Sequence, residues 1–376
     1  MMEIKVIQLL GGFSDGGAET VVKDYVCYYK KNIVSNYKVD PIAVTIMNET
    51  TTANYKQVKN AGVKIISIYR KYNIVTKILR ELFGKYYVPY KLKKIIEKER
   101  PNVLHVHTGL LHFLLPIVND LNGIKLIYTC HSIPDRYLGK ERPDENAAVK
   151  ILIKQCGLEI IALQSEMKKE IDEMFGISNT KVLYNGIDVS NFAKDTFNKY
   201  DERNKIALPT NAFVIGHVGR FSMEKNHLFL LDVFKQYTQV NNNAFLLLVG
   251  WGKMEKQIKN KMRMLQIENR CKILSHRTDI PQILSTMDVF IFPSLIEGLG
   301  NAFVEAQIAG LKCIKSDNVP DDTIIADNTS SLSLEDSLED WCCAIDNDKF
   351  IKKAFNTKDD FLLTNIMIKL TQIYID

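Results

Sequence analysis

Short apolar runs separated by amphipathic stretches recur along nearly the whole chain, and this alternation limits the fold more than any other feature. In the first half the runs are Ile4–Leu10, Ile42–Ile46, Val63–Ile68, Val103–His107, Leu126–Thr129 and Ile160–Leu163. They are continuous rather than strictly alternating, which is how strands covered on both faces read. Between them lie segments such as Glu19–Lys30, whose Val21, Val22, Tyr25 and Val26 gather on one helical side. A second series follows at Phe213–His217, Phe245–Val249, Cys271–Leu274, Val289–Phe292 and Lys312–Lys315. Strands alternating with helices predict a doubly wound, parallel α/β sheet, here written twice. The polar, weakly periodic stretch Gly186–Asn211 predicts the linker, and Phe361–Tyr374 reads as a closing amphipathic helix. A length of 376 residues fits two such domains.

Composition narrows the class. With 46% hydrophobic and 25% charged residues, the chain is neither disordered nor fibrous. No run approaches the roughly 18 uncharged apolar residues of a membrane span, and Met-Met-Glu-Ile-Lys-Val does not open a secretory signal. The seven cysteines (27, 130, 156, 271, 313, 342 and 343) include no Cys-x-x-Cys, so reduced thiols in a cytoplasmic protein are expected, without zinc or disulfides. Charge is uneven. Residues 1–200 carry 29 Lys and Arg against 21 Asp and Glu; residues 201–376 carry 20 against 23. Most of the surplus lies in Arg70–Arg100, with ten basic and three acidic residues among Tyr72, Leu79, Leu82, Phe83, Tyr86, Tyr87 and Tyr90. That mixture suits an anionic membrane surface or a lipid-diphosphate-linked acceptor, and equally a basic pair of helices in solvent. No nucleic-acid recognition motif accompanies it.

Candidate site residues follow the ends of the apolar runs. The cluster Gly11-Gly12-Phe13-Ser14-Asp15-Gly16-Gly17-Ala18-Glu19 joins a strand to a helix, where glycine lets a ligand approach and a helix start favours an anion. Its spacing fits neither the dinucleotide fingerprint nor a P-loop, and a plain tight turn accounts for it as well. Arg220 and Lys225 follow the first strand of the second series, a place suited to a diphosphate, although two solvated surface cations would read the same way. In Pro293–Ala306, Glu297 lies in a glycine-containing loop and Glu305 about one turn inside a helix starting near Asn301. Backbone N–H groups of Gly298, Leu299, Gly300, Asn301 and Ala302 suit an anion, and both carboxylates suit hydroxyls. His107 and His131 end strands at the edge where ligands sit in open α/β sheets. His105 and His112 read as structural, whereas His107 is open.

Taken together, these residues resemble the retaining glycosyltransferases of family 4, which have the GT-B fold. The resemblance covers nearly the whole chain. It rests on Gly16-Gly17-Ala18-Glu19, His131, Asn185-Gly186-Ile187-Asp188, Gly219-Arg220 with Lys225, and the pair Glu297 and Glu305. Phe292-Pro293-Ser294 and Glu305-Ala306-Gln307 look most like the capsular and exopolysaccharide branch, whereas Asn301 and Ala302 depart from the more usual apolar pair.

The resemblance implies two Rossmann-like domains facing across a cleft: 1–190 binding the acceptor, with a C-terminal helix near 359–376 crossing back to it, and 191–358 binding the donor. Arg220 and Lys225 would bind the donor diphosphate, Glu305 the ribose, and Glu297 the sugar hydroxyls. Gly16 and Gly17 would let the first domain close on the phosphates. His131 would lie near the reacting sugar, stabilising charge or binding hydroxyls. The region of His276, Arg277, Thr278 and Asp279 would hold the base. A UDP-sugar donor, no metal, a glycan or lipid-linked acceptor and a place at the inner face of a bacterial membrane are the implied partners and setting. A GT-B nucleotide-sugar epimerase and a non-catalytic partner subunit are the alternatives. The acidic stretch 317–348 is expected to be a solvated surface, with Asp321-Asp322 a surface loop rather than a metal motif.

Overall fold

The computed structural model describes residues 2–69, 74–192, 197–347, 351–352 and 356–376, without the side chains of residues 74–77, 79–82, 191, 351 and 352. The chain forms two compact units, one of residues 1–186 with 363–376, the other of residues 187–362.

The first unit is a seven-stranded parallel sheet. Its strands are β1 (Met2–Leu10), β2 (Tyr37–Met47), β3 (Lys64–Tyr69), β4 (Val103–His107), β5 (Lys125–Cys130), β6 (Glu159–Ala162) and β7 (Lys181–Val182), in the order β3-β2-β1-β4-β5-β6-β7. The strand order therefore reverses between β1 and β4. Along β1, Ile4 and Val6 pack with the helices Gly17–Lys31 and Leu363–Ile375, whereas Leu10 packs with Phe13, Val26 and Val58. The last helix supplies Ile366, Met367, Leu370, Ile373 and Tyr374 to this core.

The second unit repeats the plan with β8 (Phe213–Val218), β9 (Ala244–Val249), β10 (Cys271–Leu274), β11 (Val289–Phe292), β12 (Lys312–Ser316) and β13 (Thr329–Leu332), all parallel, plus the two-residue antiparallel β14 (Ile351–Lys352). The order is β10-β9-β8-β11-β12-β13-β14, with the reversal between β8 and β11. Successive side chains leave opposite faces of a strand. Accordingly Leu246, Leu248, Val289 and Ile291 enter one core, while Leu247, Val249, Phe290 and Phe292 enter the other. Both faces are buried, which is why the runs are continuously apolar. Each fully buried Leu or Phe contributes roughly 1.5–3 kcal/mol.

The expected linker is more ordered than its composition suggests. It holds a short helix, Lys199–Lys205, whose start is capped by the Asn198 side chain accepting from the N–H groups of Tyr200 and Asp201. The acidic stretch is likewise not a plain solvated surface. Asp321 pairs with the fully buried Lys315 at 2.9 Å, Asp322 is buried, Asp346 accepts from the Tyr237 hydroxyl, and Asp340 pairs with the capping Ser337. In the basic stretch, residues 70–73 lie outside the described residues and Ile74–Glu99 is one helix.

Candidate active site

In open α/β sheets ligands collect beyond the strand ends, at the crevice where strand order reverses. The second unit places most of the expected residues there. Lys225 closes a 3-10 turn after β8, and Glu297 lies in the loop after β11, on the other side of the reversal. The Lys225 ammonium is bonded to Glu297 Oε1 and lies 4.7 Å from the Phe292 ring centre. The two side chains are 20% and 8% exposed. Little water therefore screens them, and either charge alone would be costly there. The pair thus offers a cation and a carboxylate side by side.

The loop continues through buried Leu299 to Gly300, whose φ of +94° strains any residue with a side chain. Gly300 starts the helix Asn301–Ile308 without a side-chain cap, and Asn301 and Glu305 are half-buried within it.

Arg220 is exposed, its guanidinium carbon 6.0 Å from the Trp251 ring centre. Trp251 stacks on His276 at 5.1 Å. The loop Gly250-Trp251-Gly252 is sewn to the Arg220 loop by two backbone bonds, Gly219 N–H to Val249 and Phe221 N–H to Trp251. A Cβ on Gly250 would fall 1.9 Å from the Gly219 carbonyl oxygen, so only glycine fits. Sequence reasoning missed this loop. The signal was present as Gly-Trp-Gly directly after an apolar run. Arg277 lies in the loop before the helix Ile280–Ser285, and its fork is occupied by Asp279.

In the first unit the glycine loop joins β1 to the helix Gly17–Lys31, with buried Gly16 at the cap position. A Cβ on Gly17 would meet nothing within 4 Å, whereas one on Gly12 would fall 2.5 Å from Glu49 Oε2. Glu49 was not anticipated. Burial raises its carboxyl above the ordinary range, as do the charges of Glu19 and Asp15.

His131 directly follows β5 and does not stand alone. Its Nε2 lies 2.8 Å from His107 Nδ1. His107 Nε2 lies 2.7 Å from Gln8 Oε1, and Gln8 Nε2 donates to the Tyr374 hydroxyl at 2.8 Å. That hydroxyl lies 2.9 Å from His105 Nδ1, and His105 Nε2 lies 2.7 Å from the Thr129 hydroxyl. Burial lowers the imidazoles, His131 to about 4 and His105 to about 3, with His107 well below its ordinary value. At neutral pH all three are uncharged, which suits hydroxyls better than it suits stabilising negative charge.

His112 is bonded to Glu145 Oε1, and with Asp144 these form the group of metal-ligand type found among the described residues. Arg142 donates to both carboxylates, at 3.1 and 3.4 Å, so a cation already occupies that position.

Two doubly wound sheets, each with one reversal point, and a lysine–carboxylate pair beside a glycine loop and a helix start are the arrangement expected of a glycosyltransferase of the GT-B type. The model for group 1 glycosyl transferases matches residues 198–340, and that for glycosyltransferase family 4 matches residues 16–191. The chain is 30% identical over 289 residues to the UDP-Gal:alpha-D-GlcNAc-diphosphoundecaprenol alpha-1,3-galactosyltransferase of Escherichia coli, covering 74% of this chain and 71% of the relative. It is 28% identical over 305 residues to the capsular polysaccharide biosynthesis glycosyltransferase CapH of Staphylococcus aureus, covering 77% and 81%. The crystal structure of Anabaena HepE in complex with UDP and glucose superposes with a TM-score of 0.71 at 17% identity, covering 99% of this chain and 96% of that one. The chain belongs to glycosyltransferase family 4.

Proposed function

We propose that this glycosyltransferase takes a UDP-sugar and transfers its glycosyl group, with retention at the anomeric carbon, to a hydroxyl of a lipid-diphosphate-linked glycan in bacterial capsule or exopolysaccharide synthesis. The Lys225–Glu297 pair at the β8/β11 reversal carries the reading, because a ligand that enters between the two must offer an acceptor to the ammonium and a donor to the carboxylate. A sugar diphosphate does so, with phosphate oxygens for Lys225 and Arg220 and hydroxyls for Glu297. Glu305 takes the ribose hydroxyls. The names of the relatives agree: one uses UDP-galactose and a diphosphoundecaprenol-linked acceptor, and another binds UDP and glucose.

The bond between the anomeric carbon and the diphosphate breaks, and its electron pair leaves with UDP. The acceptor oxygen attacks from the same face, and its proton passes to the departing phosphate. The protein's part is positioning and stabilisation of the leaving charge, by Arg220, Lys225 and the N–H groups from Gly298 to Asn301. In this reading no metal is required. Screening a nucleotide-sugar panel by thermal stabilisation tests the donor, since a ligand at 100 times its Kd stabilises by about 2.7 kcal/mol. Stabilisation by UDP and one UDP-sugar, with turnover on a polyprenyl-diphosphate glycan, is expected. Indifference to every UDP-sugar would overturn the reading.

The acceptor's lipid calls for a membrane surface, and the helix Ile74–Glu99 offers one. Phe83, Tyr86, Tyr87 and Tyr90 form one exposed stripe at helical spacing, while Val88, Leu92 and Ile96 face the core. Lys85 and Lys91 lie over Tyr86 and Tyr87 at 5.0 and 5.4 Å. Lys93 and Lys94 instead bond Asp120 and Glu97, at 2.8 and 3.0 Å. Reversing Lys85 and Lys91 to Glu should weaken binding to anionic liposomes, at about 1 kcal/mol per basic residue. Undiminished binding sinks the membrane assignment alone.

A further inference from the structure

Gln8, His105, His107, Thr129 and Tyr374 are buried polar side chains to which the transfer reaction assigns no task. We propose that the chain Thr129–His105–Tyr374–Gln8–His107–His131 is a positioning relay. It fixes the tautomer of His131 so that Nδ1 presents a lone pair and selects a hydroxyl, not a phosphate, as its ligand. The inference rests on the reading that His131 touches the transferred sugar or the acceptor.

The polarity follows link by link. The Gln8 amide has Oε1 toward His107 and Nε2 toward Tyr374. An amide oxygen only accepts, so His107 must carry its proton on Nε2 and donate to it. A neutral imidazole has one proton, which leaves His107 Nδ1 as an acceptor. His131 must then donate from Nε2, and its own Nδ1 is left unprotonated. In the other direction the Tyr374 hydroxyl accepts from Gln8 and donates to His105 Nδ1, so His105 donates from Nε2 to Thr129. Every link agrees with one direction. Reversing the His107–His131 arm would require turning the buried Gln8 amide, because an unprotonated His107 Nε2 would otherwise face Gln8 Oε1, two acceptors together.

His131 Nδ1 is shielded from water and has no hydrogen-bond partner among the described residues. A buried polar atom without a partner calls for an explanation, and a ligand hydroxyl facing His131 Nδ1 supplies one. A phosphate oxygen also only accepts, so at neutral pH it cannot complement this atom. A sugar hydroxyl can. The far anchor is the closing helix: Tyr374 lies 366 residues from Gln8 and is held by the same core as Ile366, Met367 and Leu370.

The test uses the full chain with 15N-labelled histidine, read by long-range proton–nitrogen spectra, alongside steady-state kinetics. Wild type should show His131 with a protonated Nε2 and an unprotonated Nδ1. Gln8→Met should mix the two tautomers and lower kcat/KM about tenfold, the low end of the scale for losing the outer partner of a metal-bound histidine. Tyr374→Phe, which keeps the ring, should do the same more weakly. A protonated Nδ1 in wild type overturns the relay. So does an unchanged tautomer and kcat/KM in both variants while His131→Ala abolishes turnover. Full activity in His131→Ala instead overturns the reading on which the relay rests. If Gln8→Met does not fold, Tyr374→Phe and the wild-type spectrum still decide.

Discussion

The two units share a strand order and differ in what they place at its reversal. At β8/β11 the second unit holds an ion pair, an exposed arginine and an uncapped helix start. At β1/β4 the first unit holds neutral imidazoles and an amide, with a carboxyl whose ionisation is opposed by its surroundings. Topology fixes where a ligand can sit; the side chains fix what it can be. One crevice presents fixed charges, the other uncharged hydrogen-bonding groups. Net charge misleads here, since residues 201–376, with more acidic than basic residues, hold the exposed Arg220 and the Lys225–Glu297 pair.

The comparison breaks most readily at its charged half. Lys225→Ala and Glu297→Ala should each lower kcat at least 100-fold, the scale for removing a group aimed at transition-state charge. Thermal denaturation should show both variants folded, and the spectrum of His131 should not change. Activity within tenfold of wild type would show that the ion pair is structural only. Gly250→Ala probes the scaffold of the same half. Its Cβ would meet the Gly219 carbonyl, costing roughly 2–3 kcal/mol and lowering Tm by roughly 5–10 °C in a melt. An unchanged melt would mean that the loop moves freely. The smallest expected effect sharpens the neutral half. Because the Glu49 carboxyl is raised, its contribution to stability is present at low pH and is lost as pH rises through the raised value. Glu49→Gln should therefore raise Tm by roughly 1–2 °C at pH 8 and not at pH 4. An equal gain at both pH values would point to packing instead.

How much of this could be read from sequence depended on the kind of signal. Strands buried on both faces, such as β8, β9 and β11, are visible as unbroken apolar runs. β13 is not, because it reads Thr-Ser-Ser-Leu. Its Thr329 and Ser330 are nonetheless fully buried, and the Thr329 hydroxyl donates to Gln307 at 3.2 Å. β2 reads as starting after Pro41, yet runs from Tyr37. Pairing with β3 begins only at Ile42, so the missing N–H of Pro41 leaves no β3 partner unsatisfied. Lys225 and Glu297 were legible as charged residues just past apolar runs. The relay was not. His107 and His131 carried a signal as strand-end histidines, but no local pattern joins Gln8 to Tyr374.

The helix Leu363–Ile375 also bears on how the chain is made. It completes the core of the first unit, with Val21, Tyr25 and Tyr29 among its neighbours, after the whole second unit has been spelled out. During vectorial synthesis the second unit has all its strands before the first has its last helix. The unit begun first is therefore completed after the second, and its apolar face between Tyr25 and Ile161 waits until the second unit has been translated to be covered.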